Sequence, residues 1–250
     1  MVFRGLQALL LAALLLVGAP WTLAQETLDE AQQATLRTRL EVDGMGLQVG
    51  SITPSEIPGL FAVQFINGPL VYATAGGDYF VLGDLFAVGP KGYINLAEKR
   101  RDGERVQRLA EVAPEDMIVF PAQGEARTHI TVFTDVTCFY CQKLHREVPE
   151  LNRRGVEVRY LAYPRAGTDS DGFRQLATAW CAQDRQGVLT KLKNRQSVPQ
   201  NVCAGNPVAA QYQLGQDMGV RGTPAIVTAD GQMIPGYQSA AELMATLDLE

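Results

Sequence analysis

Thr128–His145 reads Thr-His-Ile-Thr-Val-Phe-Thr-Asp-Val-Thr-Cys-Phe-Tyr-Cys-Gln-Lys-Leu-His. No other stretch of the chain restricts the possible folds as much. The run His129–Phe133 has the β-branched and aromatic content of a buried strand. Thr134-Asp135-Val136-Thr137 follows it and offers hydroxyl and carboxylate caps for a helix starting at or near Cys138. Cys138 then sits at a helix N-terminus, where free N–H groups and the positive end of the dipole favour a thiolate. Cys141 lies about one turn further on, within reach of a disulfide to Cys138. Strand, Cys-X-X-Cys and helix in this order make a dithiol redox site.

Other uses of the two cysteines fit less well. Haem attachment requires His directly after the second cysteine, and Gln142 occupies that place. Structural zinc requires a second close pair of ligands. The remaining cysteines, Cys181 and Cys203, are far apart in sequence, and His129 and His145 complete no finger pattern. No metal and no separate cofactor is therefore expected, only a redox-active Cys138–Cys141 disulfide. His145 reads as an ordinary surface histidine, and Asp135 as a helix cap.

The compartment bears on how the cysteines are read. Arg4, the apolar stretch Leu6–Val17 and the small residues around Thr22-Leu23-Ala24 have the layout of a secretory signal cut after Ala24. The apolar run is short for a membrane anchor, the alternative reading. Removing residues 1–24 takes away Arg4 and no acidic residue, so the net charge moves from −5 to −6. With no basic stripe, nucleic acid is not an expected partner. An exported protein meets an oxidising environment in which disulfides persist.

The exported part divides by texture. Gln25–Val42 is polar and helix-forming, and Leu60–Ile66, Leu70–Ala75 and Asp78–Leu82 are strand-like, with Asn67-Gly68-Pro69 as a turn. Gly92–Leu96 holds a possible fourth strand. One helix and a few antiparallel strands make a marginal core, which is stabilised either by a second copy or by packing on its neighbour. Ala97–Glu111 is dense in charge and reads as a solvated helical linker. From Met117 onward strands and helices alternate: Val156–Tyr163, Ala225–Thr228 and Gly231–Ile234 as strands, with helical patterns over Ser170–Arg185, Gln186–Arg195, Pro207–Gly219 and Ala240–Leu249. Pro149 is expected to kink or interrupt the helix that follows the cysteines. The expected domains are a signal at 1–24, an N-terminal domain at 25–90, a helical linker at 91–115 and a catalytic domain at 116–250.

Thr223-Pro224 opens the strand at Ala225. A proline there either marks the start of a strand in trans, or forms a cis bond in a loop facing the dithiol. In Cys-X-X-Cys oxidoreductases of the thioredoxin type, such a loop offers backbone groups to a bound peptide.

At this point residues 25–250 resemble the DsbC/DsbG family of periplasmic disulfide isomerases. The match is carried by Val132-Phe133-Thr134-Asp135-Val136-Thr137-Cys138, Tyr140-Cys141-Gln142-Lys143-Leu144-His145, and Val158-Arg159-Tyr160-Leu161-Ala162-Tyr163-Pro164-Arg165. Trp180-Cys181-Ala182, Gly222-Thr223-Pro224-Ala225 and Pro235-Gly236-Tyr237-Gln238 extend it. The resemblance implies an α+β chain: a small N-terminal cystatin-like dimerisation domain, a helical linker, and a C-terminal thioredoxin-fold domain with a helical insertion. It implies a homodimer in the periplasm that rearranges disulfides in misfolded or mis-oxidised exported proteins, with a membrane reductase of the DsbD type as electron donor. It assigns Cys138 as nucleophile, Cys141 as resolving thiol, Thr223 and Pro224 as the cis-proline loop, and Cys181–Cys203 as a structural disulfide.

The departure is Phe139, where the isomerase usually carries Gly and DsbG carries Pro. Phe139 and Tyr140 lie between the cysteines and help set thiol acidity and potential. Three other activities remain as alternatives. A dithiol oxidase of the DsbA type is disfavoured by the N-terminal domain, the linker and Thr223. A DsbG-like reductase of oxidised cysteines and a non-enzymatic holdase chaperone stay open.

Overall fold

The computed structural model describes residues 27–66, 68–90 and 92–249. The expected secretory signal, and Asn67 of the expected turn, lie outside these residues. The chain divides into two compact units between Gly83 and Asp84.

In the first unit, helix α1 (Glu30–Leu40) is opened by a reciprocal cap. The Asp29 carboxylate accepts from the Gln32 N–H, and the Gln32 side chain accepts from the Asp29 N–H. Strands β1 (Val49–Pro54), β2 (Leu60–Phe65), β3 (Leu70–Thr74) and β4 (Phe80–Leu82) form an antiparallel sheet in that order. Leu36 and Leu40 of α1 pack on Phe61, Val63, Phe65 and Val71 of the sheet. β1 carries no apolar alternation, because only Val49 is buried; it is held by its backbone ladder to β2. The edge strand β4 leaves Phe80, Val81 and Leu82 all exposed.

The second unit begins with a hairpin, β5 (Phe86–Gly89) and β6 (Gly92–Asn95), whose last residue caps α2 (Leu96–Ala110). The Leu96 N–H donates back to Leu85 O, tying hairpin to helix. The hairpin thus groups with α2 and not with the first sheet. Nor is α2 solvated on all sides. Arg105 is buried, ion-pairs with Glu98 and Asp102, and donates to the Gly231 carbonyl. Gly231 has φ +90°, and a Cβ there would collide with the Asp102 carbonyl. Only glycine allows this approach.

A short 3₁₀ turn, Pro114–Asp116, leads into β7 (Ile118–Phe120). Then come β8 (Thr128–Thr134), α3 (Phe139–Arg153) and β9 (Val156–Ala162). β8 and β9 pair in parallel, making a β-α-β crossover. Helices α4 (Asp171–Trp180), α5 (Arg185–Lys193) and α6 (Val208–Asp217) precede β10 (Ala225–Thr228), β11 (Met233–Pro235) and α7 (Ala240–Thr246). The sheet order is β11-β10-β8-β9-β7, with β8 at its centre. α3 runs past Pro149 without a break, contrary to the expected interruption. Val148 and Leu151 on either side are buried and hold the turn by packing. Cys181 and Cys203 are bonded, with Cα atoms 5.8 Å apart. Closing a loop of this length stabilises by about 3 kcal/mol in chain-entropy terms.

Candidate active site

β8 is the central strand and its residues from Ile130 to Thr134 are buried on both faces. It delivers the chain to the edge of the sheet at Thr134, and the turn that follows places Cys138 as the N-cap residue of α3. Neither Thr137 nor Asp135 caps that helix. The Asp135 carboxylate is taken instead by the Thr137 N–H and hydroxyl, at 2.8 and 2.7 Å, and by the N–H and Nε of Arg165, at 3.0 and 3.2 Å. Burial opposes its charge, but the Arg165 N–H, the two Thr137 donors and the Arg165 guanidinium together hold its pKa below the ordinary carboxylate range. Asp135 therefore ties the turn to the segment after β9.

β10 pairs antiparallel with β8, with Ala225 opposite Phe133. That register brings Thr223-Pro224, joined by a cis peptide bond, against Cys138. The Cys138 Sγ lies 3.2 Å from the Thr223 carbonyl oxygen. The buried Thr223 hydroxyl has no partner at hydrogen-bonding distance among the described residues.

The two thiols differ sharply. Cys138 is lowered from 9.0 to about 5, chiefly because the Cys141 thiol donates a hydrogen bond to its sulfur. Burial works against the charge; the Thr223 hydroxyl, the Cys141 N–H and the Arg165 guanidinium support it. Cys141 is pushed the other way, first by burial and then because its thiol keeps its proton to donate a hydrogen bond to Cys138. Its sulfur also accepts from the Asp135 N–H at 3.5 Å. The arrangement holds one ready thiolate and one protonated reserve thiol.

Phe139 and Tyr140 are both more than half exposed, beside Cys138. Their rings meet edge to face at 5.4 Å, and Tyr140 stacks on Tyr237 at 6.5 Å. The Lys143 ammonium lies 4.2 Å from the centre of the Tyr237 ring, and the Tyr237 hydroxyl donates to Glu147 at 2.8 Å. The aromatic residues thus form a supported apolar ledge. On the other side of the cis-proline loop, a cleft of about 630 Å³ is lined by Thr223, Pro224, Met218, Pro235 and Arg105.

His145 is not a surface residue. It is buried on the core side of α3, with Nδ1 3.0 Å from the Tyr160 hydroxyl and Nε2 3.0 Å from the Thr190 hydroxyl. Burial first, and the charge of Lys193 second, push its acidity to about 3, so it is a neutral core hydrogen-bonder. Lys193 was not singled out by the sequence, because it ends a charge-rich helical stretch of solvated appearance. The fold buries it beneath the dithiol. Cys181 and Cys203 are bonded to each other and take no part in the dithiol. Among the described residues, no cluster of three or more His, Cys, Asp or Glu side chains is placed to hold a metal.

The chain is similar to known proteins over both of its parts. Residues 24–98 match the disulfide bond isomerase protein N-terminal domain, and residues 113–249 match the thioredoxin-like domain. The thiol:disulfide interchange protein DsbC of Dickeya dadantii is 38% identical over 227 residues, covering 91% of each chain. DsbC of Escherichia coli K12 is 35% identical over 220 residues, covering 88% of this chain and 87% of its own. A crystal structure of a disulfide interchange protein from Neisseria gonorrhoeae covers 56% of this chain and 100% of its own, at 27% identity and a TM-score of 0.48.

Proposed function

The chain belongs to the DsbC family of thiol:disulfide interchange proteins, and from that premise we propose how its residues carry out disulfide rearrangement. The observation that supports the reading is the unequal pair beside the cis-proline loop: Cys138 held toward its thiolate form, with Cys141 protonated behind it.

Cys138 attacks one sulfur of a non-native disulfide in a client. A Cys138–client bond forms, the client bond breaks, and the client's other sulfur leaves as a thiolate. That thiolate then attacks a different disulfide within the client, and a further client thiolate displaces Cys138. No net electrons move, and Cys138 is regenerated. Where the client stalls, Cys141 displaces it, so the client leaves reduced and Cys138–Cys141 is oxidised. A nucleophile whose pKa is lowered to about 5 is ionised at neutral pH and is also a good leaving group, which serves both steps. Thr223 and Pro224 present a backbone edge to the client chain, and the Phe139–Tyr140 ledge takes its apolar side chains. The same ledge favours holding unfolded chains as an accompanying chaperone activity.

Clients in this reading are misfolded exported proteins in the periplasm. When Cys138–Cys141 becomes oxidised, its reduction back to the resting dithiol falls to a membrane reductase of the DsbD type. The first unit serves as the homodimerisation domain: β4 is an edge strand with three exposed apolar residues, which a second copy would cover.

Cys141→Ser tests the assignment of roles. The hydroxyl still donates to Cys138 but cannot displace a client. With a scrambled multi-disulfide protein as substrate, this variant is expected to accumulate a covalent Cys138–client adduct, visible on a non-reducing gel, at several times the wild-type level. Absence of the adduct while Cys138 still reacts with small disulfides would overturn the assignment of Cys141 as resolving thiol.

A further inference from the structure

Lys193 is a charged side chain in the core of a domain that gives it no carboxylate. It is 2% exposed, at the C-terminal end of α5. Its ammonium donates to the Thr134 hydroxyl and to the Asp135 carbonyl at 3.1 Å, the last residue of β8 and the first of the turn to Cys138. The Tyr160 ring lies 5.7 Å away. Among the described residues no carboxylate oxygen is within ion-pairing distance, and Asp135 commits its own to Thr137 and Arg165. A buried lysine with two neutral partners is costly unless some anion faces it. The groups that interact with its charge are the Cys141 and Cys138 sulfurs and the Asp135 carboxylate. His145, on the same side, is neutral.

We propose that Lys193 is the electrostatic positioning residue for Cys141: the buried counter-charge that permits Cys141 to become a thiolate when a client is bound through Cys138. In the resting dithiol the Cys138 thiolate balances the ammonium. When Cys138 enters a mixed disulfide that charge is gone, and Cys141 is the only remaining sulfur able to replace it. The Cys141 thiol gives its proton to solvent base, while Lys193 stays protonated. The Cys141 sulfur then bonds to Cys138, the Cys138–client bond breaks, and the client sulfur leaves with the electron pair and takes a proton from water. Two electrons pass from the dithiol to the client disulfide. Burial lowers the pKa of Lys193, and the charges of Cys141, Asp135 and Cys138 raise it, in keeping with this coupling. By setting how fast Cys141 acts, Lys193 sets the balance between rearrangement and release of reduced client.

The inference rests on the dithiol reading, and one single-turnover experiment separates the two. Reduced full-length protein is mixed with a disulfide-containing peptide, and the Cys138 adduct is followed as it forms and decays. Lys193→Met fills the space without charge; Lys193→Gln keeps a polar donor without charge. Both are expected to slow adduct decay by about tenfold, the change in thiolate fraction made by one unit of acidity. Wild-type decay in the Gln variant, or in both, would assign Lys193 a purely structural role and overturn the inference. If the wild type forms no adduct, the dithiol reading itself fails. Should neither variant fold, nitrogen NMR of the lysine side chains decides on the wild type: the Lys193 signal is expected to move between dithiol and disulfide states, and a fixed signal would overturn the proposal.

Discussion

Cys138→Ser is expected to abolish disulfide rearrangement, lowering the rate by roughly 10³-fold or more, as loss of a covalent nucleophile generally does. A hydroxyl in the same place is not ionised near neutral pH and forms no exchangeable bond to sulfur. The Cys141 thiol does not substitute for it. That sulfur is 1% exposed, and burial holds it in the protonated form. Serine is nearly isosteric with cysteine and its oxygen still accepts from the Cys141 thiol, so the variant should retain its fold and any holding activity supported by the Phe139–Tyr140 ledge. Measurement of rearrangement and of aggregation suppression on the same preparation separates the two activities. Rearrangement persisting in Cys138→Ser would remove Cys138 from the mechanism.

The second large effect concerns pH. With its pKa lowered to about 5, Cys138 is almost wholly ionised at neutral pH, whereas a thiol at the ordinary 9.0 is about 1% ionised there. Alkylation of the reduced protein by iodoacetamide is therefore expected to rise through a midpoint near pH 5. A midpoint near that of a free thiol would contradict the hydrogen-bonding described for Cys141 and Thr223. Stability follows the same shift. Between about 5 and 9.0 the unfolded chain binds a proton that the folded chain does not. The contribution to stability is complete above the ordinary value and is lost as pH falls through the folded value. The oxidised protein has no such thiol to titrate. The melting temperature of the reduced form, relative to the oxidised form, is thus expected to fall on acidification across that window.

What the sequence displays of the site is its local chemistry. Cys138 and Cys141 are three residues apart on a strand-to-helix turn, and their spacing alone fixes the geometry of a dithiol. Thr223-Pro224 is also a short motif, but its place beside Cys138 comes from the pairing of Ala225 with Phe133, across the sheet. The electrostatics are long-range and were not legible. Asp135 has the composition of a cap, yet Arg165, thirty residues on, takes its carboxylate. His145 and Lys193 look like solvated positions in polar stretches, and only the packing of α3 and α5 against the sheet buries them. The same limit applies to the fold. β2 and β3 show strand composition, whereas β1 is held by backbone pairing that leaves no apolar pattern. Arg105 is one of many charges on α2, and its burial depends on Gly231 approaching from a turn far along the chain.

Disulfide isomerisation is tested most directly by reactivation of a scrambled, fully oxidised multi-disulfide protein. The pre-reduced chain supplies the only thiols present. The account predicts recovery of native activity, with each molecule acting repeatedly because rearrangement consumes no electrons. No recovery, from a protein that still reduces simple disulfides, would contradict it; the chain would then be a reductase, and Phe139 the first residue to replace.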